Sequence, residues 1–116
     1  MGDLRPCYRL KKRKEFSHVF ATGRSAAGSL MVVYSLSRDG GSVRVGFSAG
    51  KKLGNAVLRN RVRRRIKEVV RKSLPDLVNG RDLVVIVRAG AVKATCLELE
   101  KEFQLICRRL KLWRVP

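Results

Sequence analysis

Apolar positions along this chain recur at two periods. Between Ala56 and Ser73, Leu58, Val62, Ile66, Val69 and Val70 return at helical spacing. At about 100° per residue they form one stripe roughly 120° wide. Asn60, Arg64, Lys67 and Arg71 fall opposite the stripe. Arg61, Arg65 and Lys72 line one flank, and Arg59 and Arg63 the other. Gly54 gives a tight turn before this helix, Asn55 suits its N-cap, and Pro75 ends it. A shorter helix is predicted over about 12–22 from Phe16, Val19 and Phe20, stopped by Gly23. Its start is poorly capped and crowded with Lys12, Arg13 and Lys14, which the helix dipole disfavours. Thr95-Cys96-Leu97-Glu98 matches a capping box. It opens a last helix to about Lys111, with the stripe Leu99, Phe103, Ile106, Leu110 and Trp113.

The other period is two. Leu30, Val32, Tyr34 and Leu36 alternate with Met31, Val33 and Ser35, so both faces of this strand are expected to be covered at least in part. Residues 37–42, Ser-Arg-Asp-Gly-Gly-Ser, read as a hairpin loop, with 43–49 as the partner strand. Leu83 to Val87 is the most apolar strand and is expected at the centre of the sheet. Residues 24–29 leave room for a short edge strand. The order α-β-β-β-α-β-α, with that short first strand, predicts an α+β fold: one central sheet in an α-β sandwich. Repeats, low-complexity segments and long linkers are lacking, so 1–116 is expected to be a single domain. Residues 1–11, with Pro6 and no period, read as an extended or frayed arm.

Composition changes this picture at one point. The apolar fraction of 45% is ordinary for a globular domain, but the formal net charge is +18, from 27 basic and 9 acidic residues. Ten of the 27 basic residues lie between Lys51 and Lys72, where Glu68 is the one acid. A merely solvated helix usually alternates signs. This one is built to meet a polyanion, and regularly spaced phosphates reward many cations together. A membrane is not expected as partner. No apolar run reaches the 18 or so residues of a span, and no hydrophobic region follows the basic N-terminus. Cys7, Cys96 and Cys107 are scattered without CxxC spacing, which suits reduced thiols and a cytoplasmic location.

Candidate catalytic chemistry is sparse. The nine acids form no spaced pair suited to two metals, His18 is the one histidine, and no phosphate-loop pattern is present. Binding is therefore expected rather than catalysis by protein groups. Asn60 with Arg61, Arg64, Arg65 and Arg71 offers forked donors for phosphates and base edges. So broad a basic face suits folded RNA better than a DNA groove. Phe16 and Phe20 read first as core packing.

Lys51-Lys52-Leu53-Gly54-Asn55-Ala56-Val57-Leu58-Arg59-Asn60-Arg61-Val62-Arg63-Arg64 resembles, without a gap, the signature motif of the bacterial ribonuclease P protein component family. Leu10 to Gly23, Leu30 to Tyr34 and Arg44 to Ser48 extend the resemblance, which covers most of 8–113. It implies the protein subunit of a ribonucleoprotein endoribonuclease whose RNA performs catalysis with Mg2+ and removes the 5′ leader of precursor tRNA. No catalytic residue and no metal ligand are then expected in the protein, and no protein partner is required. The resemblance also implies a left-handed βαβ crossover around the basic helix. Lys51, Lys52, Asn55, Arg59, Asn60, Arg61, Arg64 and Arg65 would face the catalytic RNA. Lys12, Arg13, Phe16, Phe20, Val32 and Tyr34 would hold the precursor tRNA leader. The three cysteines match no functional position. A general structured-RNA binder, such as a ribosome-associated protein, is the alternative, and a nuclease acting alone is a third reading.

Overall fold

Four strands, β1 (Arg24–Ala27), β2 (Met31–Ser37), β3 (Arg44–Ser48) and β4 (Arg81–Val87), form one sheet in the order β1-β2-β4-β3. A computed structural model describes residues 13–38 and 40–114. The arm expected over 1–11 lies outside the described residues, as do Cys7 and Lys12.

β4 lies in the interior of the sheet, as its apolar run requires. It is antiparallel to β2 and parallel to β3. This corrects the expected hairpin, because β2 and β3 are not neighbours. The strand with two apolar faces gains most from flanking strands on both sides, and β4 occupies that place between them. The loop after β2 instead passes over the start of β4. Arg38 N–H donates to Gly80 O at 2.8 Å, and Gly80 N–H donates to Gly41 O at 3.0 Å. The short strand β1 forms an edge, paired with β2.

Among the described residues, three α-helices cover the sheet: α1 (Arg13–Thr22), α2 (Ala56–Ser73) and α3 (Cys96–Arg109). α2 joins the parallel pair β3 and β4 as a crossover. Its buried residues are Val62, Ile66, Val69, Val70 and Ser73. They share one core with Met31 and Val33 of β2, Val45 of β3, and Leu83, Val85 and Val87 of β4. Leu99, Phe103, Ile106 and Cys107 of α3 complete it. Each such aliphatic side chain contributes about 1.5–3 kcal/mol by leaving water. Among the described residues, the opposite face of the sheet carries α1 alone. There Val19 and Val84 are fully buried, with Phe16, Tyr34, Leu36 and Ile86 packed around them.

The ends of α2 and α3 follow the predicted caps. Asn55 Oδ1 accepts from Leu58 N–H at 3.0 Å. Thr95 and Glu98 complete a reciprocal capping box, and these hydrogen bonds hold the Glu98 carboxyl below its usual range. The stripe assigned to the last helix needs correction at its end. Lys111 turns to φ 59°, and Trp113 lies beyond α3, bridged to Leu77. Glu102 also does more than suit the dipole of α3. Its Oε2 accepts from Leu30 N–H and Met31 N–H, both at 2.8 Å, and so ties α3 to the start of β2.

Candidate nucleic-acid interfaces

The basic helix is aimed by the turn that precedes it. Lys51–Leu53 form a single 3-10 turn, pinned by buried Leu53. Gly54 follows at φ 130°, a conformation that L side chains rarely adopt, and a Cβ there would sit 2.8 Å from Leu58 Cδ1. Lys51 and Lys52 are thereby left exposed beside the first turn of α2, whose dipole favours an anion.

Along α2, Asn55, Asn60, Arg61 and Arg64 are exposed, and Arg59 and Arg65 are half-buried. Among the described residues, Lys51, Lys52, Arg59, Arg61 and Arg64 have no carboxylate partner. Arg59 Nε is buried without a hydrogen-bond partner among the described residues. Asn60 Oδ1 accepts from Arg63 Nη1 over a long 3.4 Å. Arg65 differs from its neighbours: its Nη1 donates to Val92 O and Ala94 O, each at 3.2 Å, and pins the segment that leads into α3. Arg71 pairs with Glu68, which raises the arginine's pKa and lowers the acid's. Lys67 does not point outward as its helical position suggested. Its Nζ stands 5.9 Å above the ring of Phe47 on β3. Val57, an apolar residue on the cationic face, is 63% exposed.

The second surface lies across the sheet, beside α1. Strand pairing places Ser25, Tyr34, Val84 and Gly46 in one row, and Ala27, Val32, Ile86 and Ser48 in the next. Phe16 and Phe20 both come from α1, but they are used differently. Phe16 is seated on the first row, where a Cβ on Gly46 would lie 2.4 Å from its Cζ. Phe20 is 41% exposed and meets Tyr34 edge to face, with centroids 4.9 Å apart. Packing thus describes Phe16, and an available ring describes Phe20. Tyr34 and Val32 are half-buried, and Arg13 is exposed at the start of α1. Ala27, Ile86 and Ser48 were not among the expected site residues. Only the strand register reveals that they continue the row of Val32.

An ionic chain beneath α1 also escaped sequence reasoning. Arg44 on β3 donates from Nη1 to Glu15 Oε2 at 2.7 Å, and from Nε and Nη2 to the two oxygens of Asp82 at 2.9 and 2.8 Å. Arg38 Nε donates to Asp82 Oδ1 at 2.7 Å. Asp82 is only 6% exposed. Burial opposes its ionisation, but the hydrogen bonds and charges of Arg44 and Arg38 outweigh that and hold its carboxyl below the ordinary value. The hydrogen bond to Asp82 in turn raises Arg44. One signal was available: Asp82 immediately precedes the apolar run from Leu83 to Val87, where an acid needs a partner.

Other reactive groups are isolated. His18 is exposed. Cys96 and Cys107 are free thiols, and burial pushes Cys107 up to about 12. Among the described residues, no group of three or more His, Cys, Asp or Glu side chains could hold a metal ion. No helix there is long and apolar enough to cross a membrane.

Comparison with known proteins agrees with this architecture. The sequence model of the family described as Ribonuclease P matches residues 4–111. A ribonuclease P protein component from Brevibacillus brevis is 42% identical over 106 residues, covering 90% of this chain and 84% of that protein. One from Symbiobacterium thermophilum is also 42% identical, over 110 residues, with 94% and 96% covered. Among solved structures, the Staphylococcus aureus RNase P protein superposes with a TM-score of 0.78 at 32% identity, covering 91% of this chain and 97% of that one. The Thermotoga maritima protein gives 0.77 at 28% identity, with 86% and 96% covered.

Proposed function

The chain belongs to the ribonuclease P protein family and has the role of that enzyme's protein component; from this premise we propose that it works by binding two RNAs on opposite sides of its sheet, while the RNA subunit carries out the hydrolysis. Lys51, Lys52, Asn55, Arg59, Asn60, Arg61 and Arg64 contact the catalytic RNA. Arg65 holds the segment ahead of α3 and adds charge at the margin of that surface. The 5′ leader of precursor tRNA runs across the other face, along Val32, Tyr34 and Phe20. Phe16 supports the site from beneath, and Lys12 and Arg13 attract its phosphates.

Two surfaces of different chemistry carry this reading: open cations on α2, and an exposed ring beside an apolar row under α1. Cations without acid partners suit a phosphate-rich surface, because each contact releases counterions. A ring beside a groove suits a single strand, where stacking contributes about 1–3 kcal/mol per base. Bridging two polyanions with a +18 protein lowers their mutual repulsion. In this reading Mg2+ is assigned to the RNA, where phosphates supply its ligands. Free thiols at Cys96 and Cys107 suit work in the reducing cytoplasm.

Precursor tRNA incubated with protein alone, RNA alone and both tests this assignment. At low Mg2+, cleavage is expected to rise on adding protein to RNA and to be absent with protein alone. Cleavage by the protein alone would contradict the reading. A lack of any gain would favour a general RNA binder.

A further inference from the structure

The ionic chain beneath α1 contacts neither RNA in the account above, yet it joins the elements that form the leader site. α1 is ten residues long, and a helix that short depends on tertiary contacts for its place. Its apolar seat is small, with Val19 its one fully buried residue. Glu15 immediately precedes Phe16, and its carboxylate meets Arg44 at 2.7 Å. The same guanidinium is held by both oxygens of Asp82, which Arg38 secures from the end of β2. Arg44 is therefore fixed from below and meets α1 from its own side.

We propose that Glu15, Arg44 and Asp82 are positioning residues for the substrate: a guanidinium strut that sets the height of α1 over the sheet, and with it the spacing between Phe20 and the row of Ala27, Val32, Ile86 and Ser48. This rests on the leader-site reading above. Too low an α1 closes the groove. Too high or tilted an α1 separates Phe20 from Tyr34 and loses the edge-to-face contact that holds the ring. A planar, bidentate guanidinium suits the task because its geometry is fixed where a lysine's is not.

The sign of one substitution separates the strut from plain electrostatics. Glu15 is an acid beside a site for a polyanion, so charge alone makes Glu15→Gln tighten leader binding. The strut makes the same change weaken it. The experiment uses reconstituted holoenzyme and compares precursor and mature tRNA affinity for wild type, Glu15→Gln, Phe20→Ala and the double variant. Glu15 is partly exposed, so Glu15→Gln is expected to fold, which a thermal melt verifies. Glu15→Gln is expected to weaken precursor binding by roughly threefold to tenfold, leaving mature tRNA and RNA-subunit affinity unchanged. Because it acts through the ring, the double variant is expected to lose little more than Phe20→Ala. If Phe20→Ala weakens precursor binding more than mature tRNA binding while Glu15→Gln leaves precursor binding unchanged or tighter, the strut is overturned and the leader site stands. If Phe20→Ala weakens both tRNAs equally, the leader site is overturned and the strut with it.

Discussion

Arginine does opposite work on the two sides of this sheet. On α2, Arg59, Arg61 and Arg64 meet no carboxylate among the described residues, and their charge is left for a ligand. Under α1, Arg38 and Arg44 are consumed by Asp82 and Glu15, and rings beside the exposed Arg13 are what remains for a ligand. Pairing decides the difference. A cation satisfied inside the protein becomes structure, whereas one held open by an acid-poor neighbourhood becomes a binding group and opposes folding by self-repulsion. Net charge alone does not distinguish these two uses.

The largest effect is expected where charge is open. Arg61→Ala with Arg64→Ala should reduce affinity for the catalytic RNA by roughly tenfold or more and flatten its dependence on salt by about two contacts. Folding stability should hold or rise in a urea melt. An unchanged salt slope would remove both residues from the interface. On the other side, Gly46→Ala places a methyl group against Phe16 and should cost about 1–3 kcal/mol in the same melt. A neutral outcome would mean that Phe16 is not seated there.

Acid titration addresses the consumed charges. The carboxyl of Asp82 is depressed in the folded state, so its contribution is fully present above its ordinary value of 3.8 and is lost as pH falls through the lower folded value. Asp82→Asn should lack that part of the acid dependence. Identical acid profiles would mean that the ionic chain contributes nothing to stability. The smallest effect is expected for Glu68→Gln. That pair is exposed on α2, so stability should stay within error while affinity for the catalytic RNA rises slightly. The same kind of substitution at Glu15 is expected to have the opposite sign for the leader.

Much of this was legible in the chain. The span of α2 follows from its stripe and from Asn55, and the capping box fixes the start of α3. Both signals are local. The neighbours of β4 were not legible, because residues 37–42 have the composition of a hairpin and nothing local says that another strand fits between β2 and β3. The open face of α2 could be read from its lack of acids. Arg65 could not be distinguished from Arg64, since the carbonyls of Val92 and Ala94 that hold it arrive only through the fold. Phe16 and Phe20 share a helix face, and only the bare backbone of Gly46 beneath one of them separates their roles. The chain from Glu15 to Asp82 spans three elements, which no periodicity joins.

The central claim is that the two faces hold different RNAs. The most direct test is precursor tRNA affinity as the leader is lengthened one nucleotide at a time, measured with saturating catalytic RNA for wild type, Arg64→Ala and Phe20→Ala. The account predicts that Phe20→Ala flattens the gain from leader length without weakening assembly with the RNA subunit. Arg64→Ala should weaken assembly and keep the gain. Loss of the leader-length dependence in Arg64→Ala, or weakened assembly in Phe20→Ala, would contradict it.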